Sequence, residues 1–407
     1  MQKIHIRPCV IGLGYVGLPI YIRLQKKFDT TGFDLDKNRI KSLNKGIDFN
    51  KEHSKKEICF NKRSFVTNNI QKIKNSNFYI VCVPTPITKS NKPDLKALIS
   101  SCKILNKMIK KGDIIFFEST VYPGVTENIC VPFLENKTKL KANKDFFIGY
   151  SPERVNPGDK QHSIEKISKI VAFNTNIKKN IKIIKQVYKS ITSKVVLVNK
   201  IKEAETAKVI ENIQRDLNIA LFNEIFILCE KLKLNFNQVI KLASTKWNFI
   251  KFQPGLVGGH CLPVDPYYLS FIAKKNRFKM SVLLAGRNMN NYMKTYLYDK
   301  ILEKLKKLNI NPSKSNILVL GITYKKNVAD TRNSLALDIA KKLQKRNHKV
   351  KVFDPYVSNI KNIKLIPQEN LNYNNFKAAV VITKHNSLKR IIQNFKLKKV
   401  PVIEFFN

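Results

Sequence analysis

Gly12-Leu13-Gly14-Tyr15-Val16-Gly17 stands directly after an apolar run at residues 4–11 and directly before an amphipathic stretch at 18–28. That order of strand, glycine-rich turn and helix constrains the fold more than any other feature. Parallel strands need a crossover, usually a helix, so the chain is led into a doubly wound sheet. In this context Gly12 permits the tight turn, Gly14 lets the backbone approach a pyrophosphate, and Gly17 lets the helix pack closely on the strand. The helix N-terminus then faces the phosphate charge. Asp34 closes the next apolar run, 31–34, about 20 residues on, where a carboxylate accepts from ribose hydroxyls and disfavours a 2′-phosphate. The pattern predicts NAD rather than NADP.

The alternation continues. Residues 77–83 and 113–118 read as further strands, each ending where a turn with Pro or Ser/Thr begins. Residues 201–233 contain neither Gly nor Pro and repeat apolar residues at helical spacing. They predict one long helix, central to the molecule and to a dimer interface. A Pro/Gly-rich loop is expected at 252–266. From residue 316 the strand pattern restarts at 317–321, 349–354 and 378–383, with a helix at 335–345. The expected fold is α/β: two Rossmann-like, doubly wound parallel-sheet domains joined by a long central helix. The expected divisions are 1–195 for NAD, 196–300 for a helical dimerisation region carrying the catalytic Lys and Cys, and 301–407 for the substrate.

A chain of 407 residues is too long for one ordinary core. No apolar run reaches the ~18 residues of a membrane helix, and the N-terminus lacks a secretory pattern. A cytoplasmic protein without a membrane partner is expected. The seven cysteines are odd in number and none sits at metal-ligand spacing, so neither a metal site nor a disulfide framework is expected. The formal net charge of +46 raises nucleic acid or an anionic membrane as partners. The lysines are spread along the whole chain, however, and Asn, Ile and Phe are also abundant, as codon composition would supply. No nucleic-acid partner is expected, although a positive field suits an anionic substrate.

Gly255-Leu256-Val257-Gly258-Gly259-His260-Cys261 is the second signal. Three glycines in five residues let a backbone wrap closely round a ligand. A cysteine closing such a loop is either a nucleophile for a carbonyl or a structural residue beside a turn; the loop alone does not separate these. Asp265 follows by four residues and could orient water or a cationic partner. His260 reads as structural or as a substrate contact. On the long helix, Lys208 and Asn212 are four apart and share a face, where a lysine could stabilise an oxyanion.

Taken together, these residues resemble the UDP-glucose/GDP-mannose dehydrogenase family along essentially the whole chain. The segments carrying the resemblance are GLGYVGLP at 12–19, VPTP at 83–86, ESTVYPG at 118–124, SPERVNPGD at 151–159, AKVIENIQRDLNIALFNE at 207–224, GGHCLPVDPYY at 258–268 and GITYKKNVADTRNS at 321–334. SPERVNPGD, TKWNF and LVGGHC are most similar to its UDP-N-acetylglucosamine 6-dehydrogenases, of the Vi-antigen polysaccharide type. The resemblance implies a four-electron oxidation of a UDP-sugar C6 alcohol through a Cys261 thiohemiacetal and thioester. UDP-glucose and UDP-N-acetylmannosamine are alternative substrates, and an inactive nucleotide-sugar-binding relative is a further alternative. It implies Lys208 and Asn212 at the oxyanion, Asp265 orienting water and lysine, Glu153 in thioester hydrolysis and Thr120 near the reacting centre. Tyr15, Val16, Arg39, Pro84, Thr85 and Arg332 join the glycines and Asp34 as cofactor contacts. Arg154, Phe252, Gly255, Gly258 and Lys325 join Glu153, Lys208 and Asn212 as substrate contacts. A homodimer or higher homo-oligomer is implied.

Overall fold

The computed structural model describes residues 5–50, 52–59, 61–155, 161, 163–347 and 349–406. The stretch 156–159 of the SPERVNPGD motif, and residue 4 of the first expected strand, lie outside the described residues. The chain forms two compact units, residues 1–211 with 267–278, and residues 212–266 with 279–407.

The first unit holds an eight-stranded sheet. Its strands are β1 (Pro8–Ile11), β2 (Thr31–Phe33), β3 (Phe65–Thr67), β4 (Phe78–Val81), β5 (Ile114–Phe117), β6 (Phe147–Tyr150), β7 (Ser168–Phe173) and β8 (Lys194–Val198). They lie in the order β3-β2-β1-β4-β5-β6-β7-β8. β4 (FYIV) and β5 (IIFF) are continuous apolar runs buried throughout, as expected for strands covered on both faces. The helices are α1 (Gly17–Leu24), α2 (Lys37–Asn44), α3 (Lys55–Ile58), α4 (Lys96–Leu105), α5 (Val131–Thr138) and α6 (Lys178–Ile191). Strand order reverses between β1 and β4, so a ligand crevice opens beyond their carboxyl ends. The glycine turn follows β1 and VPTP follows β4.

The expected α/β fold of doubly wound, mainly parallel sheets is present. One boundary is corrected: the first strand begins at Pro8, because the Asn77 side chain takes the backbone groups of His5 and Arg7. Within the large sheet one pairing departs from the rest: β7 runs antiparallel to β6, pairing Gly149 with Phe173 and Tyr150 with Ala172.

The long helix α7 (Ile201–Lys231) matches its expected span to within two residues. It begins in the first unit and ends in the second. The second unit adds α8 (Phe236–Ala243) and α10 (Ser281–Lys307), while α9 (Asp265–Lys275) falls mostly in the first. α10 has no counterpart in the sequence reading, since its Leu, Met and Tyr residues fall all round the helix. The second sheet is wholly parallel, in the order β10-β9-β11-β12. Its strands are β9 (Ile317–Leu320), β10 (Lys351–Phe353), β11 (Ala378–Val381) and β12 (Val402–Glu404), flanked by α11 (Leu335–Arg346) and α12 (Lys389–Leu397). Ile301, Leu297 and Leu343 pack on one face of this sheet; Leu388, Ile392 and Phe395 pack on the other. Strand order reverses between β9 and β11, which places the loops 321–334 and 382–386 at the second crevice edge. No helix among the described residues is long and apolar enough to cross a membrane.

Candidate active site

The glycine turn has the geometry of a dinucleotide cradle. Gly12 has φ +90, and a Cβ there would lie 2.7 Å from the Cys82 carbonyl oxygen. At Gly17 a Cβ would lie 1.8 Å from the Gly12 oxygen, so only hydrogen lets α1 sit this close to β1. Nothing stands within 4 Å of a Cβ built on Gly14, which leaves that backbone open to approach. No side chain caps α1, and uncapped helix N–H groups suit a phosphate. Asp34 accepts from the Leu13 N–H at 2.8 Å with Oδ2 and from the Asp36 N–H at 2.9 Å with Oδ1. Its carboxylate is thereby held beside the turn with lone pairs remaining for ribose hydroxyls. These residues fit NAD.

Arg39 is buried and works from behind the turn. It donates to the Leu13 carbonyl at 2.9 Å and pairs with Asp48 at 2.9 Å. Arg39 and Asp48 hold each other, so the Asp48 carboxyl lies below its ordinary range despite the opposing effect of burial. Thr85 donates to the Thr120 carbonyl at 2.6 Å, and Ser119 to that of Val83 at 2.6 Å. Tyr268, fully buried, donates to the Thr85 carbonyl at 2.7 Å. The VPTP and ESTVYPG segments are thus fastened to each other, with Pro84 and Thr85 beside Thr120. Glu205 of α7 accepts from the Gly124 N–H and, at 2.9 Å, from the Thr126 N–H. That carboxylate ties the segment following Thr120 to the helix that carries Lys208, itself buried.

In the second unit, Cys261 is exposed; of the other cysteines Cys59 is exposed as well, whereas Cys9, Cys82, Cys102, Cys130 and Cys229 are buried. Its loop is pinned. Gly259 (φ +82) donates its N–H to the Arg332 carbonyl at 3.1 Å and accepts from Asn333 Nδ2 at 3.0 Å. A Cβ on Gly258 would lie 2.7 Å from Tyr324 and 2.8 Å from the Asn333 oxygen. After Cys261 the chain turns into α9, with the N–H groups of Val264 and Asp265 on the Cys261 carbonyl at 3.0 and 2.9 Å. Asn212 donates to Asp265 Oδ2 at 2.5 Å, and Asp265 is buried. Asn212 and Asp265, each expected singly as a site residue, are therefore in contact. His260 is held below the ordinary histidine range by burial and by the Arg332 guanidinium. The Arg332 guanidinium pairs with Asp330 at 2.5 Å.

A polar ladder behind this loop escaped the sequence reading. Asn223 receives the Gly255 N–H at 2.8 Å and donates to the Gly255 carbonyl at 3.1 Å. It also donates to Asn290 Oδ1 at 2.9 Å. Asn290 donates to Asp216, which is ion-paired with Arg287; both of those side chains are 1% exposed. Phe252, next to this loop, packs on Phe222 with ring centroids 6.0 Å apart. Asn212, Asp216 and Asn223 follow one face of α7 at four- and seven-residue spacing. That stripe was the available signal, masked by the single pair chosen from it. Lys325 lies on the loop after β9, its carbonyl accepting from Thr323 at 2.9 Å. His385 braces that loop by receiving the Asn327 N–H at 2.9 Å. Glu153 and Arg154 follow β6; the Arg154 guanidinium pairs with Glu211 at 2.7 Å.

The glycine-turn dinucleotide fold defines the class, an NAD-dependent dehydrogenase. Residues 6–192 match the NAD binding domain of the UDP-glucose/GDP-mannose dehydrogenase family, 202–292 its central domain and 318–407 its UDP binding domain. The chain belongs to that family and is an NAD-dependent UDP-sugar dehydrogenase. It is 41% identical over 391 residues to the UDP-N-acetyl-D-glucosamine 6-dehydrogenase of Salmonella typhi, covering 95% of this chain and 92% of that one. It is 43% identical over 354 residues to the enzyme of the same name from Pseudomonas aeruginosa, covering 87% and 83%. The solved UDP-D-ManNAc dehydrogenase from Pyrococcus horikoshii superposes with TM-score 0.87 at 31% identity, covering 99% of this chain and 96% of that one.

Proposed function

We propose that this enzyme oxidises the C6 alcohol of UDP-N-acetylglucosamine to the uronic acid, in the cytoplasm, for surface polysaccharide biosynthesis. The observation that carries the chemistry is the exposed Cys261 on its pinned loop, with Asn212 and Asp265 in hydrogen-bond contact a turn away. The sugar assignment is supported by the names of the relatives at 41% and 43% identity. NAD, when bound, accepts hydride, and two are consumed for each sugar. An aldehyde cannot give up a second hydride until a nucleophile makes it tetrahedral, which is the task of the Cys261 sulfur. The resulting thiohemiacetal oxygen carries developing charge, which the Lys208 ammonium and the Asn212 amide stabilise. Oxidation leaves a thioester on Cys261, and Glu153 with Asp265 activates the water that releases the acid. Lys325 and Arg154 contact the anionic substrate. Arg332 contacts the cofactor.

NADH formation with a panel of UDP-sugars tests this. Two NADH per sugar are expected, with kcat/KM highest for UDP-N-acetylglucosamine. A preference for UDP-glucose or UDP-N-acetylmannosamine would overturn the sugar assignment, and one NADH per sugar would overturn the thioester route. Lys208→Ala is expected to lower kcat by roughly 10²–10³-fold, the usual cost of losing an oxyanion donor. A near-normal kcat would leave Lys208 without a part in the chemistry.

The enzyme works as a homodimer in this reading. Leu221 and Leu228 are exposed along one face of α7, Leu232 just past its end is exposed too, and Trp247 is 93% exposed. Apolar surface gathered in this way marks an association face.

A further inference from the structure

β6 ends at Tyr150, and the chain continues through Ser151 and Pro152 to Glu153. The antiparallel register that pairs Gly149 with Phe173 and Tyr150 with Ala172, carried onward, sets Lys169 opposite Glu153. The Lys169 side chain is 1% exposed. Its ammonium lies 2.5 Å from Glu118 Oε2 and 3.7 Å from Glu153 Oε2. Glu118 stands at the end of β5, and Tyr188 donates to its other oxygen at 3.0 Å. Glu153 Oε1 accepts the N–H groups of Arg154 and Val155 at 2.7 and 2.5 Å. Its Oε2 is buried and accepts no hydrogen bond from the described residues.

One buried lysine thus serves two carboxylates. Two buried negative charges against one positive charge are costly, and such clusters take up a proton. Burial pushes the Glu118 carboxyl up to about 7, although Lys169 draws it down. Burial also disfavours the Lys169 ammonium, but the two carboxylates outweigh it and hold that group above the ordinary lysine range. Lys169 accordingly stays charged between the two carboxylates. Among the described residues, the other titratable groups facing the cluster are the Cys82 thiol and the Tyr188 phenol, which burial keeps protonated. The Arg154 guanidinium is turned to Glu211 and to the Ser168 carbonyl.

We propose that Lys169, its charge shared out by Glu118, is a positioning residue that holds Glu153 as the anion needed for thioester hydrolysis. This rests on the reading of Glu153 as the hydrolytic base. In that step the water oxygen bonds to the thioester carbon, and a water proton passes to Glu153 Oε2. The C–S bond breaks with its electron pair returning to Cys261 as thiolate, and nothing is oxidised or reduced. A lysine serving only the fold would have no effect on the pH at which hydrolysis switches on.

The test is the pH profile of acid release by the full-length enzyme with NAD, measured where NADH appears as a burst and hydrolysis limits turnover. Glu118→Gln removes the carboxylate that competes for the Lys169 ammonium and leaves Lys169 to Glu153 alone. It should move the acid limb to lower pH by about one unit, while Lys169→Met should move it to higher pH by about one unit or more. If Lys169→Met fails to fold, the Glu118→Gln profile decides the question. An unmoved acid limb in folded Glu118→Gln, or shifts of the same sign in both variants, would overturn the proposal. Glu153→Gln separates the two ways of failing: if it releases acid at the native rate, the base was misassigned and the Lys169 link falls with it. If it is slow while the Glu118→Gln profile is unmoved, only the link is wrong.

Discussion

Cys261→Ser should lower uronic acid formation by roughly 10⁴–10⁶-fold, the scale on which removal of a covalent nucleophile is felt. Binding of NAD and of the UDP-sugar should stay near native, because the glycine turn that cradles NAD is built elsewhere in the chain and the loop around position 261 is held by backbone contacts at Gly259. A hydroxyl is a far weaker nucleophile than a thiolate at neutral pH, and an ester on serine would also resist hydrolysis more than a thioester. The measurement is acid release alongside NADH, with the intact-protein mass followed for a trapped adduct. Acid release at the native rate would remove Cys261 from the mechanism.

Arg287→Met should cost about 3–5 kcal/mol of stability, because it leaves the buried Asp216 carboxylate without its charge partner. Burial already raises the Asp216 carboxyl above its ordinary range, with Arg287 and Asn290 opposing. The double variant Arg287→Met/Asp216→Asn should recover most of the loss, since it removes the uncompensated charge and keeps an acceptor for Asn290. Urea midpoints for the two single variants and the double variant provide the cycle. A loss under about 1 kcal/mol for Arg287→Met would mean that the pair is solvated in solution. The same ladder ends at Gly255 through Asn223, so KM for the UDP-sugar should rise in the single variant and return toward native in the double.

The parts of the site legible in the sequence are those made by neighbouring residues. A turn that must bring a helix against a strand needs hydrogen at Gly12 and Gly17, and the fingerprint is six residues long. A cysteine with no core to enter, closing a glycine loop, is exposed because of what flanks it. The helix pattern over 201–233 and the apolar runs of β4, β5, β9 and β11 survive folding because burial on both faces demands them.

Other features depend on residues far apart in the chain. Lys169 and Glu118 are separated by 51 positions, and in a parallel arrangement the start of β7 would lie at the far end of the sheet from Glu153. Only the reversal of β7, which β8 shares, brings the ammonium to the carboxylate, and no local pattern in SKIVAF announces a reversal. The Asp216–Arg287–Asn290–Asn223 ladder likewise exists because α7 and α10 pack together. Gly286 permits that approach, as a Cβ there would meet Leu217 at 2.4 Å. The amino-acid sequence alone determined the dinucleotide turn, the glycine loop around Cys261 and the α/β class, because short-range sterics and two-faced burial leave those segments few alternatives. The tertiary structure alone decided which buried charges face one another, because an ion pair depends on strand direction and helix packing, and these are settled by the whole core.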